Sequence, residues 1–343
     1  MADLAAGFSP KQFQLAIAAE KDGIGGGEST DADYYFLNVD SVEFPALNPQ
    51  QVLDVRHGAG RTLKSVDMFL TNKLTIKEIS FSGIADNSTL PMLLSNITGV
   101  ADASGDLTFT IAYNYAGIDL QFGDAVSDNT KTFAVVVTTP DAIQQYYFKG
   151  CVLTSLTVSA DIADESGRFK VSGTFKSGCV PALNDSSIVP TRSTAHFNSN
   201  YSMLDYGDAG TSGATTVISG ITDPVLKSFG LTIENDVVFS GYDESGNFQQ
   251  IHRAIPEVAV TFDAVVKYDA DTDHLPNSFE TQSTSTIANT LTAQDTTPAL
   301  DISLPTCIIT DVSFSEEDAM FLSLSHKAVA STSGNILSVN VQA

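Results

Sequence analysis

Residues 151–159 read CVLTSLTVS and residues 307–315 read CIITDVSFS, matched position by position at an offset of 156. A second pair agrees with the first. LTIKEISFSG, Leu74 to Gly83, pairs with LTIENDVVFSG, Leu231 to Gly241, the LTI parts 157 apart and the FSG parts 158 apart. The extra residue falls between Ile76 and Ile79 in one copy and between Ile233 and Val237 in the other, where the apolar alternation slips phase. A one-residue slip inside a strand marks a β-bulge. A period of 156–158 is too long for a solenoid unit and suits a duplicated domain. The expected division is a first domain over 1–180, a linker over 181–198 with its own prolines and polar residues, and a second domain over 199–343.

Both halves read as mainly β. Apolar residues make up 43% of the chain and charged residues 17%, with Ser, Thr, Asn, Asp and Gly filling much of the rest; this is the palette of strands and turns. Alternation is clear in Leu107 to Tyr113, Phe133 to Thr139, Phe169 to Phe175 and Met320 to His326, with turn signals at 103–106, 164–167 and 243–246. A short helix is predicted over 87–99, with Asn87 or Ser88 as cap, Pro91 in the first turn and Gly99 at the stop. The expected fold is two tandem β-sandwich or barrel domains, each with at most a short flanking helix.

Cys151 to Ala160 and Arg168 to Phe175 form one predicted hairpin, and the second copy repeats it with a shorter connection into Met320. Simple alternation puts Val152, Thr154, Leu156 and Val158 on a core face and Ser155, Thr157 and Ser159 on a polar one. In the second copy Ile308, Thr310, Val312 and Phe314 oppose Asp311, Ser313 and Ser315. The two sets of small polar residues are the candidate functional face.

Against 41 acidic residues stand 17 basic ones, a net charge of -24. Such a chain repels phosphate backbones, so specific nucleic-acid binding is disfavoured; a generally acidic, salt-adapted proteome would also account for the charge. Cys151, Cys179 and Cys307 have no C-x-x-C spacing and read as small buried hydrophobes of a reducing compartment. The first residues lack the charged and apolar regions of a secretory signal, and no stretch of about 18 apolar residues occurs, so neither export by that route nor membrane spanning is expected.

Catalytic signatures are missing. Five scattered histidines form no H-E-x-x-H, no G-x-S-x-G elbow occurs, and GIGGGEST at 23–30 lacks the lysine and spacing of a phosphate loop. The expectation is a non-enzyme. One metal constellation stands out: Asp269, Asp271, Asp273, the Leu275 carbonyl, Asn277 and Glu280 fall at positions 1, 3, 5, 7, 9 and 12 of a calcium loop. Against it, His274 stands where the loop needs glycine and Pro276 follows, so calcium is the one cofactor raised and a solvated acidic loop is the alternative.

Three segments carry a family resemblance: FQLAIAAEKDGIGGGEST near the N-terminus, LPMLLSNITG, and the hairpin YYFKGCVLTSLTVSADIADESGRFKVSGTF. With them the chain resembles the major tail tube proteins of long-tailed, siphovirus-like bacteriophages, of the type carrying two tube folds in one chain. The resemblance implies self-association into stacked rings, trimeric with pseudo-sixfold symmetry or else hexameric, around a lumen that DNA crosses without specific binding. It implies further contacts with the tape-measure, tail terminator and distal tail proteins, and a place in the virion after assembly in the host cytoplasm. Candidate lumen residues are then Ser155, Thr157, Ser159, Asp311, Ser313 and Ser315. The competing readings are a secreted adhesin or surface-layer β-module, and another phage tail, decoration or receptor-binding protein.

Overall fold

The computed structural model describes residues 10–20, 25, 34–43, 51–53, 68–70, 76–86, 88–99, 107–112, 118–121, 132–139, 145–164, 167–184, 188–189, 216–222, 224–241, 250–280, 287–293, 299–316, 320–330 and 334–342. Most of the expected linker, the glycine-rich bend apart from Gly25, and the turns expected at 103–106 and 243–246 lie outside the described residues.

The first half contributes β1 (Gln14–Ala19), β2 (Tyr35–Glu43), β3 (Gln51–Leu53), β4 (Met68–Leu70), β5 (Lys77–Ile84), α1 (Thr89–Thr98), β6 (Thr108–Ala112), β7 (Ile118–Gln121), β8 (Phe133–Thr138), β9 (Gln145–Asp161), β10 (Lys170–Ser177) and β11 (Ala182–Asn184). The second contributes β12 (Val217–Ile218), β13 (Ile221–Thr222), β14 (Leu226–Ser240), β15 (Gln250–Lys267), α2 (Leu275–Glu280), β16 (Ile287–Ala293), β17 (Ala299–Glu316), β18 (Met320–Ala328) and β19 (Asn335–Gln342). The chain is mainly β, as expected, and the strand pairings among the described residues are all antiparallel.

A closed circuit of pairings, β1–β2–β5–β10–β9–β8 and back to β1, makes a small barrel in the first half. Alternate residues of its strands point inward and fill it. Leu15, Ile17, Ile79, Phe81, Phe133, Phe148 and Phe175 are buried there, with Phe175 stacked on Phe81 at 5.4 Å and meeting Phe133 edge-on at 6.1 Å. The alternation read in Phe133 to Thr139 gives way to burial throughout β8. Its outward Ala134 and Val136 are covered by Ala16, Ala18, Tyr34 and Tyr147 as a second, smaller core. A strand buried on both faces reads as a continuous apolar run.

Helix α1 ends as expected, at Gly99 with φ 71°, whose N–H donates to the Ser95 carbonyl at 2.9 Å. Its start differs. Ser88 makes no side-chain cap; the Asp86 carboxylate accepts from the Ser88 and Thr89 amides at 2.9 and 2.8 Å and from the Thr89 hydroxyl at 2.7 Å. An acceptor-only side chain satisfies several orphan donors at once, so it displaces a weaker hydroxyl cap.

In the second half the same strand order is met again: β14–β15–β18–β17–β16–β12 matches β2–β5–β10–β9–β8–β1. Details repeat with it. The strand pairs β2–β5 and β14–β15 slip register at Val39/Ser41 and at Leu226/Ser228. Thr154 and Thr310 each sit at a bulge and donate a hydroxyl hydrogen bond of 3.1 Å, to the Thr174 and Ser325 carbonyls. Helices α1 and α2 follow β5 and β15, and each carries a buried leucine followed by proline, Leu90-Pro91 and Leu275-Pro276.

Two expectations are corrected by this order. LTIKEISFSG and LTIENDVVFSG do not hold equivalent places: β5 lies between β2 and β10, whereas β14 lies between β9 and β15. Local alternation makes any two half-buried strands look alike, whatever their neighbours. The bulge expected in the second segment is present at Asn235/Val237, while Lys77 to Ile84 pairs with β10 without a slip. Secondly, the Thr154 and Thr310 bulges invert the phase of simple alternation. Val152 and Ile308 share the face of Ser155 and Asp311, opposite Lys176 and Lys327, and Leu153 replaces Val152 in the core.

The halves join edge to edge. β9 pairs with β14 from Ser155↔Glu234 to Asp161↔Ser228, merging two four-stranded layers into one eight-stranded sheet, β2–β5–β10–β9–β14–β15–β18–β17. Helix α1 braces the joint from below: Asn96 Oδ1 accepts from the Leu153 amide and Asn235 Nδ2 donates to the Ile97 carbonyl, both at 2.8 Å and fully buried. Strands β6 and β7 of the first half cross over to pair with β19 and β15. Ala182–Asn184, inside the expected linker, pairs with β9.

Candidate functional site

Residues directly opposite one another in an antiparallel sheet share a face, so the polar alternation of each strand adds to that of its neighbours. One cross-strand row runs Ser41–Ser82–Ser172–Thr157–Thr232–Thr261, a hydroxyl on each of six consecutive strands. Another runs Ser159–Gly230–Asp263–Ser325–Asp311 from β9 through β14 and β15 to the remaining two strands, β18 and β17. All six candidate residues therefore lie on one face of one sheet, and Ser159 and Asp311, drawn from different halves, stand in the same row. Ser80, Ser82, Ser172, Thr174, Thr232 and Thr261 belong to this face and were not singled out from the sequence. The signal for the first four was present as the polar positions of KEISFSGI and KVSGTFKS.

The hydroxyls largely satisfy one another. Ser41 meets Ser82 at 2.8 Å, Ser80 meets Thr174 at 3.0 Å, Thr157 meets Thr232 at 3.0 Å, and Ser325 donates to Asp263 at 2.6 Å. The backbones lie close as well: a Cβ on Gly83 would stand 2.0 Å from the Asn38 carbonyl oxygen, which restricts that position to glycine. Two lysines on this face lie beside carboxylates. Lys170 pairs with Asp164, and Lys176 on β10 reaches Asp236 on β14 at 2.9 Å, a second tie between the halves. Burial pushes the Asp236 carboxyl upward, but hydrogen bonds from Lys176 and the Val237 amide outweigh it and hold the group below its ordinary value. The face is thus rich in small hydroxylated side chains, and the charges of Lys170 and Lys176 on it are countered by carboxylates.

The acidic segment 269–280 is α2 and the turns that lead into it. Asp269 Oδ1 accepts from the Asp271 amide at 3.1 Å, the Leu275 amide donates to the Thr272 carbonyl, and Asp271 and Asp273 point into solvent. Among the described residues no three acidic, histidine or cysteine side chains come together as a metal centre would need, Asp269, Asp271, Asp273 and Glu280 included.

Two buried polar clusters serve the framework. Ser219 and His326 Nε2 lie 2.7 Å apart, the spacing of an activated serine, yet both are buried. His326 Nδ1 faces the Phe262 carbonyl at 3.0 Å and must donate to it, leaving Nε2 to accept from the Ser219 hydroxyl. Burial lowers the His326 pKa, keeping the ring neutral in that tautomer. Glu20, fully buried, accepts from the Gly150 amide at 2.8 Å, the Gly25 amide at 2.7 Å and the Thr132 hydroxyl at 2.7 Å, while burial raises its pKa. Gly150 holds φ 58° to present that amide. The three cysteines form no disulfide and are buried, and burial lifts Cys307 to about 11, so they are unreactive fillers.

The family model for phage tail tube protein matches residues 88–340, from α1 through β19. The chain belongs to the phage tail tube proteins. Among curated proteins none matches it. The residues this tail tube protein matches to its family include both strands of the β9–β14 joint. It is a structural component of the phage tail, and none of its described helices is long and apolar enough to cross a membrane.

Proposed function

We propose that this tail tube protein polymerises into stacked rings forming the tube of a long-tailed, siphovirus-like phage, an acidic-walled conduit for genome ejection. The observation that carries the reading is the eight-stranded sheet whose single continuous face is lined by hydroxyls and carboxylates from both halves. Turned inward, such a face suits the passage of DNA. A cationic wall would bind the polymer by releasing counterions from each neutralised phosphate, whereas an acidic wall of small groups keeps it moving.

The repeated strand order supports a duplicated tube fold. Each chain would occupy two of six quasi-equivalent positions, giving a trimeric ring with pseudo-sixfold symmetry; a hexamer would be the outcome if each chain filled one. Tape-measure, tail terminator and distal tail proteins are the further partners, met during assembly in the host cytoplasm.

Negative-stain electron microscopy of the purified chain tests this. Hollow rings or tubes are expected, threefold at high resolution. Compact monomers at high concentration, or a bore lined by lysines, would overturn it.

A further inference from the structure

The interiors of the two halves differ at corresponding positions. Asn289 lies opposite Leu304, three residues before Cys307, as Val135 lies opposite Phe148, three residues before Cys151. His326 lies opposite Ile309, two residues after Cys307, as Phe175 lies opposite Leu153, two residues after Cys151. Where the first half packs valine and phenylalanine, the second thus buries two polar side chains.

The covering strand differs as well. In the first half β1 pairs with β8 from Gln14↔Thr138 to Ala19↔Phe133. Its counterpart β12 meets β16, among the described residues, at Val217↔Thr290 and turns straight back into β13. Ser219 and Gly220, at φ 53° and 79°, are the two central residues of that turn; the tight hairpin needs both values, and serine adopts one at a cost that glycine does not meet. Two hydrogen bonds hold Ser219 there. Its amide donates to Asn289 Oδ1 and its hydroxyl donates to His326 Nε2, both at 2.7 Å, while Ile218 beside it is fully buried.

The surroundings of His326 do not suit a charged ring. The Phe262 ring lies at 5.9 Å, and the Phe262 carbonyl takes the Nδ1 hydrogen. Among the described residues of β12, β13 and β16 the polar groups turned to it are the neutral Ser219 and Asn289. On β17, Cys307 keeps its proton, its pKa lifted to about 11 by burial. Asp263 of β15 and Lys327 of β18 are exposed on the opposite, polar face, where Asp263 accepts from Ser325 at 2.6 Å. A proton on Nε2 would force the Ser219 hydroxyl to accept instead of donate, and would leave a buried cation with no carboxylate on its own side of the sheet. Water relieves such a charge. The shortest element bonded to the ring is the hairpin 217–222, whose tip, Gly220, is already exposed.

We propose that the β12–β13 hairpin is a proton-operated latch: neutral His326 holds it shut through Ser219, and a protonated ring lets it lift and admits water to the second half alone. The latch belongs to the single folded chain and is independent of whether that chain builds a tube.

Hydrogen exchange of the full chain, read by mass spectrometry and corrected for intrinsic exchange at each pH, tests it. Between pH 7 and pH 5, peptides spanning 217–222 should lose about tenfold in protection, inside the limit of tenfold per pH unit that one proton sets. Those of β1 and β8 should change by less than about twofold. His326→Gln keeps a donor and an acceptor but takes up no proton, so its hairpin should hold the same protection at both pH values. Ser219→Ala removes the latch and leaves the ring, so its hairpin should exchange at pH 7 as fast as the parent's at pH 5. The parent chain decides without any variant having to fold: full protection of 217–222 at pH 5, or a loss shared equally by β1 and β8, would overturn the latch. So would a loss in His326→Gln as large as the parent's, or parental protection at pH 7 in Ser219→Ala.

Discussion

The hydroxyls of Thr157 and Thr232 meet at 3.0 Å across the line where the two halves of the chain become one sheet. The bond is on the polar face, while beneath it Leu156, Val158, Leu231 and Ile233 are buried. Four such side chains contribute roughly 1.5–3 kcal/mol each by burial, far more than one hydroxyl pair, so the joint is held from the apolar side and only finished by the polar one.

Asn235 is the position where that joint is most sensitive. Its Nδ2 binds the C-terminal turn of α1, and Asn235→Ala leaves a buried carbonyl without its donor. A loss of about 1–3 kcal/mol is expected, read from urea unfolding, whereas Thr157→Val should cost under about 1 kcal/mol.

Glu20 should make the fold less stable as pH rises. Its folded pKa lies above 4.5, so the native state holds this proton more tightly than the unfolded chain; the contribution is full below 4.5 and fades as pH climbs through the raised value. Glu20→Ala should remove that slope and also strand three donors, with a net loss of roughly 2–4 kcal/mol at neutral pH. Denaturant midpoints from pH 4 to 8 check both effects.

His326 acts in the opposite sense. Its folded pKa is depressed below 6.5 by burial, so the unfolded chain binds the proton first, and stability is full above 6.5 and falls as pH drops through the window beneath it. The slope there stays below about 1.4 kcal/mol per pH unit, the limit for one proton. In His326→Gln it should flatten.

Charge on the polar face should govern DNA passage. Tubes assembled from a Thr157→Lys, Ser313→Lys variant should retain DNA at low salt and release it as salt rises, while unaltered tubes retain none under either condition. Retention equal in both would remove these residues from the lumen.

Calcium titration of the full chain should give no saturable heat at millimolar concentration, because the carboxylates of 269–280 do not converge. Binding that disappears with Asp269→Asn would restore the calcium loop.

Much of this protein is legible in the amino-acid sequence alone. Period-two alternation marks the strands, the proline and glycine of LPMLLSNITG bound α1 to within a residue or two, and the paired CVLTSLTVS and CIITDVSFS segments take corresponding places in the repeated strand order. These features are local: they depend on which face of a strand is buried, or on a backbone conformation only glycine adopts cheaply. The neighbours of each strand are not legible in the same way. LTIENDVVFSG looks like LTIKEISFSG yet occupies the place of β2, and nothing in the alternation of Val152 to Val158 announces the bulge at Thr154 that reverses its phase. Pairing partners and register are set by contacts between segments far apart in the chain, where many alternating strands are interchangeable in pattern. The tertiary structure alone therefore decided that Ser159 and Asp311 share a row, and that on the opposite face of the same sheet Phe314 stands exposed at its edge.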